Sequence, residues 1–387
     1  TSGSTRAPKA VALSGANILA NAALANGTWG LDEAGVVLNW LPHFHDLGLM
    51  GGIFYPILSG GRTVLMDPLH MIQRPERWLR LIAEHKATFS GGPAFAFSHC
   101  LQNITETQCE GLDLSSWRNA FCGAEPVPSH LLAAFRERFG PYGLNPNAVF
   151  GCYGLAEYTL MVAGGNPGLL DDHPEPPPGC GDIEPCRIAP EMQDILHLVD
   201  PDTRRIVGPG EAGEIWVAGP SVAQGYRNEP TETAAAFDAV IVGDEGLGSW
   251  LRTGDLAVRQ GDWLYVTGRL KDLLFANGRK IPATDVEWLA GEQDRALNPM
   301  GAAALMPDDL ATGKAVLLIE LNRRERIADE PATCTRIRRA VAGAWGIELT
   351  DIRILPSGSL PRTSSGKIQR RLLATAWREG RLEDVLQ

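Results

Sequence analysis

The stretch Val36-Val-Leu-Asn-Trp-Leu-Pro-His-Phe-His-Asp46 passes directly from an apolar segment into a polar one. Its first part, 36–41, is short and apolar and predicts a buried strand. Similar short runs occur at Thr63–Met66 and Ala120–Cys122. They alternate with longer segments of helical periodicity, such as Ser129–Phe139. This alternation predicts an α/β architecture for the first half of the chain.

The pattern changes along the rest of the chain. From about residue 195, short strand-like segments are separated by Asp-Pro and Gly-rich turns, which predicts a β-rich region. Beyond Gly268–Asp272, helix and strand patterns alternate at 283–291, 315–321 and 335–344. We therefore expect an α/β subdomain at 1–194, a β-rich subdomain at 195–270 and a small α+β C-terminal domain at 271–387.

The composition restricts the class of protein. The net charge of −11 argues against general nucleic-acid binding, which needs a dominant basic surface. No stretch approaches the roughly 18–20 apolar residues of a membrane span. The seven cysteines have no close C-x2-C spacing and the eight histidines form no H-E-x-x-H pair, so neither a disulfide nor a structural metal is indicated. We expect a cytoplasmic protein with reduced cysteines.

The first nine residues, Thr1-Ser-Gly-Ser-Thr-Arg-Ala-Pro-Lys9, combine four hydroxyls, one glycine and two cations. Backbone N–H groups and hydroxyls in such a loop can surround a phosphate chain, although the pattern differs from the Walker A loop. A plain surface loop is the alternative when this segment is taken alone. Phosphate loops normally follow a strand, so we expect further residues to precede Thr1 in the parent protein.

Several polar motifs follow in a fixed order. They are Trp40-Leu-Pro-His-Phe-His45-Asp46, Gly123-Ala-Glu-Pro126, Cys152-Tyr-Gly-Leu-Ala-Glu157, Arg252-Thr-Gly-Asp255, Gly268-Arg-Leu-Lys-Asp272 and Leu360-Pro-Arg-Thr-Ser-Ser-Gly-Lys367. Together with the first nine residues, this set resembles the adenylate-forming superfamily across essentially the whole chain. Arg6 and the block His45-Asp-Leu-Gly-Leu-Met-Gly-Gly52 are most similar to the fatty acyl-AMP ligases.

The resemblance implies that ATP and Mg²⁺ are used to convert a fatty or related carboxylic acid into an acyl-adenylate. Two anions must then approach each other, and at about 4 Å two unit charges repel by roughly 1–4 kcal/mol in water or near a protein surface. Cations are needed to offset this repulsion in the transition state. By resemblance, Lys367 is the catalytic lysine that bridges the carboxylate and the α-phosphate.

The resemblance assigns the other roles motif by motif. Glu157 matches a magnesium-associated glutamate, Asp255 a ribose-binding aspartate, and Lys271 the hinge before a mobile C-terminal domain. His45 matches a residue lining the acyl and phosphate site, with a core histidine bonded to backbone as the alternative. For Asp255 and Glu157 the alternative is a structural salt bridge. The remaining matched residues bind phosphates (Thr1, Ser2, Gly3, Ser4, Thr5 and Lys9), adenine (Gly123, Ala124 and Tyr153), and ribose or phosphate (Arg269).

The sequence leaves the acyl acceptor open. Relatives carry an extra segment after the Glu157 motif that is associated with disfavouring coenzyme A, and the corresponding stretch at 165–180 is short here. Tyr158 is bulky where a small residue is usual, and it either shapes the acyl tunnel or packs in the core. Three functions remain: transfer to an acyl carrier protein, perhaps in polyketide or lipopeptide synthesis, transfer to coenzyme A, and a non-catalytic nucleotide-binding role.

Overall fold

The computed structural model describes residues 9–165, 175–177, 180–243, 246, 248–306, 313–363 and 366–386. The chain divides into a large unit, Ala10–Thr267, and a small unit that contains Lys9 and Gly268–Gln387. In the described part of the chain, no helix is long and apolar enough to cross a membrane.

A six-stranded sheet forms the first half of the large unit. Its strands are β1 (Val36–Asn39), β2 (Arg62–Leu65), β3 (Phe89–Gly92), β4 (Asn119–Gly123), β5 (Val149–Gly154) and β6 (Met161–Gly164). The spatial order is β2-β1-β3-β4-β5-β6, with the first five strands parallel and β6 antiparallel to β5. Strands β1, β3 and β4 are buried at every position, as expected for parallel strands covered on both faces.

Helices connect these strands, as parallel pairing requires. The connecting helices are a π-helix (Leu47–Phe54), α2 (Tyr55–Leu58), α3 (Pro68–Gln73), α4 (Glu76–His85), α5 (Ala94–Asn103), α6 (Glu106–Cys109) and α7 (Ser129–Phe139). Helix α1 (Gly15–Trp29) precedes the sheet, and α8 (Pro230–Phe237) follows it. Helix α1 begins with a capping box between Ser14 and Asn17. Further along α1, the buried Asn21 donates to Met161 O at 2.9 Å and ties the helix to β6.

A second sheet follows, with five antiparallel strands in the order β7-β11-β10-β9-β8. These are β7 (Cys186–Arg187), β8 (Leu196–Val199), β9 (Ala212–Val217), β10 (Leu251–Gln260) and β11 (Trp263–Arg269). Short 3₁₀ turns occur at 140–142, 146–148, 156–158 and 190–192. Residues of both sheets, including Val162, Ile215 and Leu264, share one buried apolar cluster, so the two sheets form a common core.

The small unit has its own core around a three-stranded sheet in the order β14-β15-β16. Alternate residues of β15 face opposite sides: Leu317 and Ile319 pack with α9 and α10, while Val316 and Leu318 pack with α11. The elements are β12 (Leu273–Ala276), β13 (Arg279–Pro282), α9 (Ala283–Gly291), β14 (Leu297–Leu305), β15 (Lys314–Leu321), α10 (Glu330–Trp345), β16 (Glu348–Leu355) and α11 (Arg370–Arg378), with 3₁₀ turns at 270–272 and 382–384.

The predicted fold class is confirmed: an α/β region precedes an antiparallel β region, and a small α+β unit ends the chain.

Candidate functional site

Several motifs of the large unit directly follow strands of the first sheet and so lie at the same edge of it. Trp40 follows β1, Ala124 follows β4, and Glu157 lies three residues beyond β5. Because carboxyl ends of parallel strands share an edge, the topology places these motifs together. In open α/β sheets, ligands bind in the crevice outside this edge.

The Gly123–Ala124 corner requires small residues. A Cβ at Gly123 would lie 2.4 Å from the carbonyl oxygen of Cys152 on the neighbouring strand, so only glycine fits there. Ala124 has φ +71°, which costs energy in a residue that carries a Cβ. Strained backbone of this kind is concentrated at ligand sites. The corner therefore requires glycine at position 123 for packing against β5 and holds Ala124 in a strained conformation.

Tyr153 and Asp255 lie in contact. Tyr153, on β5, is 9% exposed and its hydroxyl donates to Asp255 Oδ2 at 2.8 Å. Asp255, on β10, is itself only 5% exposed. This hydrogen bond joins the motif predicted to bind adenine, on the first sheet, to the motif predicted to bind ribose, on the second. The geometry therefore brings two of the predicted site residues together.

Asp255 lies in an irregular part of β10. In the β9–β10 pairing, Arg252 lies opposite Trp216 and Leu256 lies opposite Glu214, so three residues of β10 oppose the single residue Ile215. The bulge is closed by Thr253 Oγ1, which donates to Ile215 O at 2.8 Å and accepts from Asp255 N–H at 3.1 Å. Such bulges re-aim a side chain, here that of Asp255.

Glu157 is bonded through both its side chain and its backbone. The Tyr226 hydroxyl donates to Glu157 Oε1 at 2.7 Å, and Ala223 N–H donates to Glu157 O at 2.9 Å. Two residues later, Thr159 adopts φ +71° and ψ −58°, while Leu160 N–H donates to Tyr158 O at 2.9 Å. This is a rare, strained γ-turn. The buried Thr159 hydroxyl secures it by donating to Ser221 O at 2.9 Å.

His45 lies half-buried before the π-helix. Leu47 N–H donates to Asp46 Oδ1 at 2.8 Å, and His45 Nδ1 lies 2.7 Å from the same carboxylate oxygen. The π-helix packs tightly on the first sheet, because a Cβ at Gly52 would lie 2.1 Å from the Asn39 amide nitrogen. π-helical segments are rare and often occur at functional sites.

Tyr158 and Cys152 lie next to and within the motif that ends at Glu157. Tyr158 is 1% exposed and its hydroxyl donates to Ala218 O at 3.0 Å, so it packs in the core. Burial raises the pKa of the Cys152 thiol to about 12. At neutral pH this thiol is protonated, which argues against a cysteine nucleophile here.

In the small unit, Lys367 follows a short loop. Thr363 N–H donates to Lys367 O at 2.8 Å, and Lys367 N–H donates to Thr363 Oγ1 at 3.2 Å. The loop is anchored by Glu320, which is 2% exposed and accepts from Leu360 N–H at 2.8 Å and from Arg362 Nη2 at 3.4 Å. Arg269 ends β11, and Lys271 lies in the following 3₁₀ turn.

Part of the predicted site lies outside the described residues. This holds for Thr1, Ser2, Gly3, Ser4 and Thr5, and for most of the stretch at 165–180. Lys9 is the first described residue, and the carbonyl of the adjacent Ala10 accepts from Arg227 N–H at 2.8 Å.

A magnesium ion at Glu157 stays a prediction. In the part of the chain that the structure describes, no group of three or more His, Cys, Asp or Glu side chains could hold a metal. Mg²⁺ usually needs only one or two carboxylates beside substrate phosphates and water. The half-buried Glu157 carboxylate offers a hard oxygen of this type.

The sequence analysis did not select three residues that hold the candidate site in place, namely Glu214, Tyr226 and Thr159. The sequence gives an indication for Glu214, because this charged residue directly precedes the apolar residues 215–218 of a predicted strand. It gives none for Tyr226 and Thr159, because their roles depend on contacts with distant loops.

Comparison with known proteins identifies the class. Residues 1–227 match the sequence profile of the AMP-binding enzymes. The chain is 34% identical to the medium-chain-fatty-acid–[acyl-carrier-protein] ligase JamA of Moorena producens (strain JHB), across 99% of this chain and 68% of JamA. The chain therefore belongs to the AMP-binding enzyme family.

Within this family, several of its relatives are named fatty acid ligases. It is 36% identical to the long-chain-fatty-acid–AMP ligase FadD26 of Mycobacterium marinum (strain ATCC BAA-535 / M), covering 96% of this chain and 67% of that protein. A structure of the L. pneumophila fatty acyl-adenylate ligase with acyl adenylate and pyrophosphate matches with a TM-score of 0.66 at 34% identity. That match covers 100% of this chain and 69% of the other.

Proposed function

We propose that this protein is a fatty acyl-AMP ligase. A carboxylate oxygen of the fatty acid attacks the α-phosphorus of ATP, the bond from this phosphorus to the β-phosphate oxygen breaks, and pyrophosphate leaves. The observation that carries the proposal is the hydrogen-bonded pair Tyr153–Asp255 beside the Gly123–Ala124 corner. The similarity to JamA, which extends over 99% of this chain, supports it.

The large unit would bind the nucleotide. Gly123, Ala124 and the Tyr153 ring would hold adenine, because a flat ring needs small residues and an aromatic face. The Asp255 carboxylate would accept hydrogen bonds from the ribose hydroxyls. The hydrogen bond from Tyr153 to Asp255 Oδ2 restricts the rotation of this carboxylate and so sets its orientation.

The phosphates would be held by the first residues of the chain. We propose this role for Ser2, Gly3, Ser4 and Thr5, with Thr1 and Lys9 at the ends of the loop. Arg269 would reach the ribose or a phosphate, and His45 would line the acyl and phosphate site. Glu157 would hold Mg²⁺, which supplies charge neutralisation for the phosphates when bound.

Lys367 would offset the negative charge that builds as the carboxylate meets the α-phosphate. We propose that 271–387 is a mobile catalytic domain with Lys271 as its hinge. The separate core of the small unit supports this division, because a unit with its own core can move as a body.

The acyl acceptor is proposed to be a carrier-protein phosphopantetheine thiol. The sulfur attacks the acyl carbonyl carbon, the bond to the adenylate oxygen breaks, AMP leaves, and the thiol proton passes to solvent. The similarity to JamA, named as an acyl-carrier-protein ligase, supports this acceptor. The cytoplasmic location remains a prediction, supported by seven cysteines that are all free.

Coenzyme A is the second candidate acceptor. The chain is also 36% identical to a protein of Mycobacterium tuberculosis (strain ATCC 25618 / H37Rv) named as a putative fatty-acid–CoA ligase, FadD21. Both acceptors share the first half-reaction.

ATP–pyrophosphate exchange tests that half-reaction. We expect labelled pyrophosphate to enter ATP only when Mg²⁺ and a fatty acid are both present. Absence of exchange with every fatty acid would indicate a nucleotide-binding protein without this activity.

A further inference from the structure

Glu214 is a buried carboxylate beside the nucleotide site that no predicted role uses. It lies on β9 and is 2% exposed. A buried carboxylate is costly unless its oxygens are bonded, so its partners show which part of the structure it holds in place.

Both oxygens of Glu214 are occupied. Oε2 accepts from Trp216 Nε1 at 2.9 Å and from Arg252 Nε and Nη2 at 3.0 and 2.7 Å. The Arg252 guanidinium also lies over the Trp216 ring, with Cζ 5.2 Å from the ring centroid. Oε1 accepts from Gly254 N–H at 3.0 Å.

The Gly254 hydrogen bond matters because Gly254 is the centre of the β10 bulge. Its φ is +75°, a conformation that favours glycine. The next residue is Asp255. Glu214 thus holds the peptide that sets the position of Asp255, while Tyr153 holds its side chain from the opposite sheet.

We infer that Glu214 is a positioning residue for ribose recognition, acting through Gly254 on Asp255. This inference rests on the proposed function, in which Asp255 binds the ribose hydroxyls. In this role Glu214 would not contact the nucleotide, because both of its oxygens accept hydrogen bonds from the protein. Its function is to fix a carboxylate that must meet two small hydroxyl groups in one geometry.

The test compares ATP with 2′-deoxy-ATP in acyl-AMP formation. Glu214→Gln keeps the shape but replaces an acceptor oxygen by an amide donor, which cannot serve both Arg252 and Gly254. We expect KM for ATP to rise by about tenfold, the usual scale of a lost charge-assisted hydrogen bond. The preference for ATP over 2′-deoxy-ATP should fall towards that of Asp255→Asn.

Glu184→Gln is the matched control. Glu184 is 4% exposed in the same unit, and its carboxylate pairs with Arg136 of α7 at 2.5 Å rather than with a residue of the β10 bulge. This variant should keep the wild-type preference for ATP. Glu214→Gln combined with Asp255→Asn should be no less selective than Asp255→Asn alone, because both act on one contact.

A wild-type preference in Glu214→Gln would overturn the inference, as would equal losses in Glu214→Gln and Glu184→Gln. Arg252→Lys gives a second probe that keeps the Glu214–Gly254 hydrogen bond while removing the two-pronged contact to Oε2. It should show a smaller loss of preference. If Asp255→Asn itself keeps the wild-type preference, the ribose role of Asp255 fails, which is a failure of the proposed function.

Discussion

The hydroxyl of Tyr153 donates a 2.8 Å hydrogen bond to Asp255, a residue 102 positions further along the chain. Tyr153 lies next to the end of β5 in the first sheet, and Asp255 lies in a bulge of the antiparallel second sheet. The two sheets share a core, so this contact is fixed by the packing of both. It is the point at which the adenine and ribose sides of the proposed nucleotide site meet.

Removing this hydroxyl should weaken nucleotide binding without unfolding the protein. In Tyr153→Phe the ring remains, but Asp255 loses a donor, and we expect KM for ATP to rise by roughly threefold to tenfold. The KM for the fatty acid should change little. Steady-state kinetics of pyrophosphate release would measure both values, with Tyr265→Phe, another buried tyrosine of the large unit, as control. Equal effects on both substrates would count against the assignment.

Tyr226→Phe tests the role of Glu157. The Tyr226 hydroxyl donates to Glu157 Oε1 at 2.7 Å and restricts the rotation of that carboxylate. Without it, we expect the Mg²⁺ concentration for half-maximal activity to rise several-fold, since a preorganised ligand is lost. Titration of Mg²⁺ at saturating ATP would measure this shift. An unchanged Mg²⁺ requirement with reduced activity would assign Glu157 a different role.

Lys367→Ala separates the two half-reactions. If Lys367 stabilises only the adenylation transition state, the first half-reaction should slow by about 10²–10³-fold. Transfer from a supplied acyl-adenylate to the acceptor thiol should remain near the wild-type rate. Rapid-quench assays of each step would measure this split. Loss of both steps to the same extent would contradict the proposed role.

The raised pKa of Asp285 predicts that the stability of the small unit depends on pH. Burial, with a further contribution from the Glu287 carboxylate, raises the pKa of Asp285 to about 7. The unfolded chain ionises this group near the ordinary value of 3.8. The folded state therefore binds the proton more tightly, and stability is lost as pH rises from about 4 through 7.

Asp285→Asn should remove this loss. We expect the variant to be more stable than wild type at pH 8, by on the order of 1–3 kcal/mol, and to match it more closely at pH 4. Thermal unfolding between pH 4 and 8 would measure the difference. Parallel pH profiles for the two proteins would show that Asp285 does not titrate in this range.

The fold was predictable wherever a periodic pattern was strong. The predicted helices Ser129–Phe139 and Ala283–Gly291 coincide with α7 and α9, because each follows a proline and buries a regular apolar face. The π-helix at 47–54 was not predicted. Its form depends on the close approach of Gly52 to Asn39, which the sequence does not display.

The site was predictable in its motifs but not in its connections. Tyr153, Glu157 and Asp255 could be selected because their motifs occur in a fixed order. The contacts of Glu214 could not, since they form only when β9 pairs with the bulged part of β10. The contact between Tyr226 and Glu157 forms only when two distant loops meet. Long-range hydrogen bonds of this kind leave no periodic signal in the chain.

The central claim is best tested by mass spectrometry of a reaction with ATP, Mg²⁺ and a panel of fatty acids. Parallel samples would contain coenzyme A, a phosphopantetheinylated carrier protein, or neither. We predict that acyl-AMP accumulates, persists with coenzyme A, and is consumed by the carrier protein with formation of its thioester. Formation of acyl-CoA at a comparable rate would contradict the proposed acceptor, and the absence of acyl-AMP from every acid would contradict the proposed activity itself.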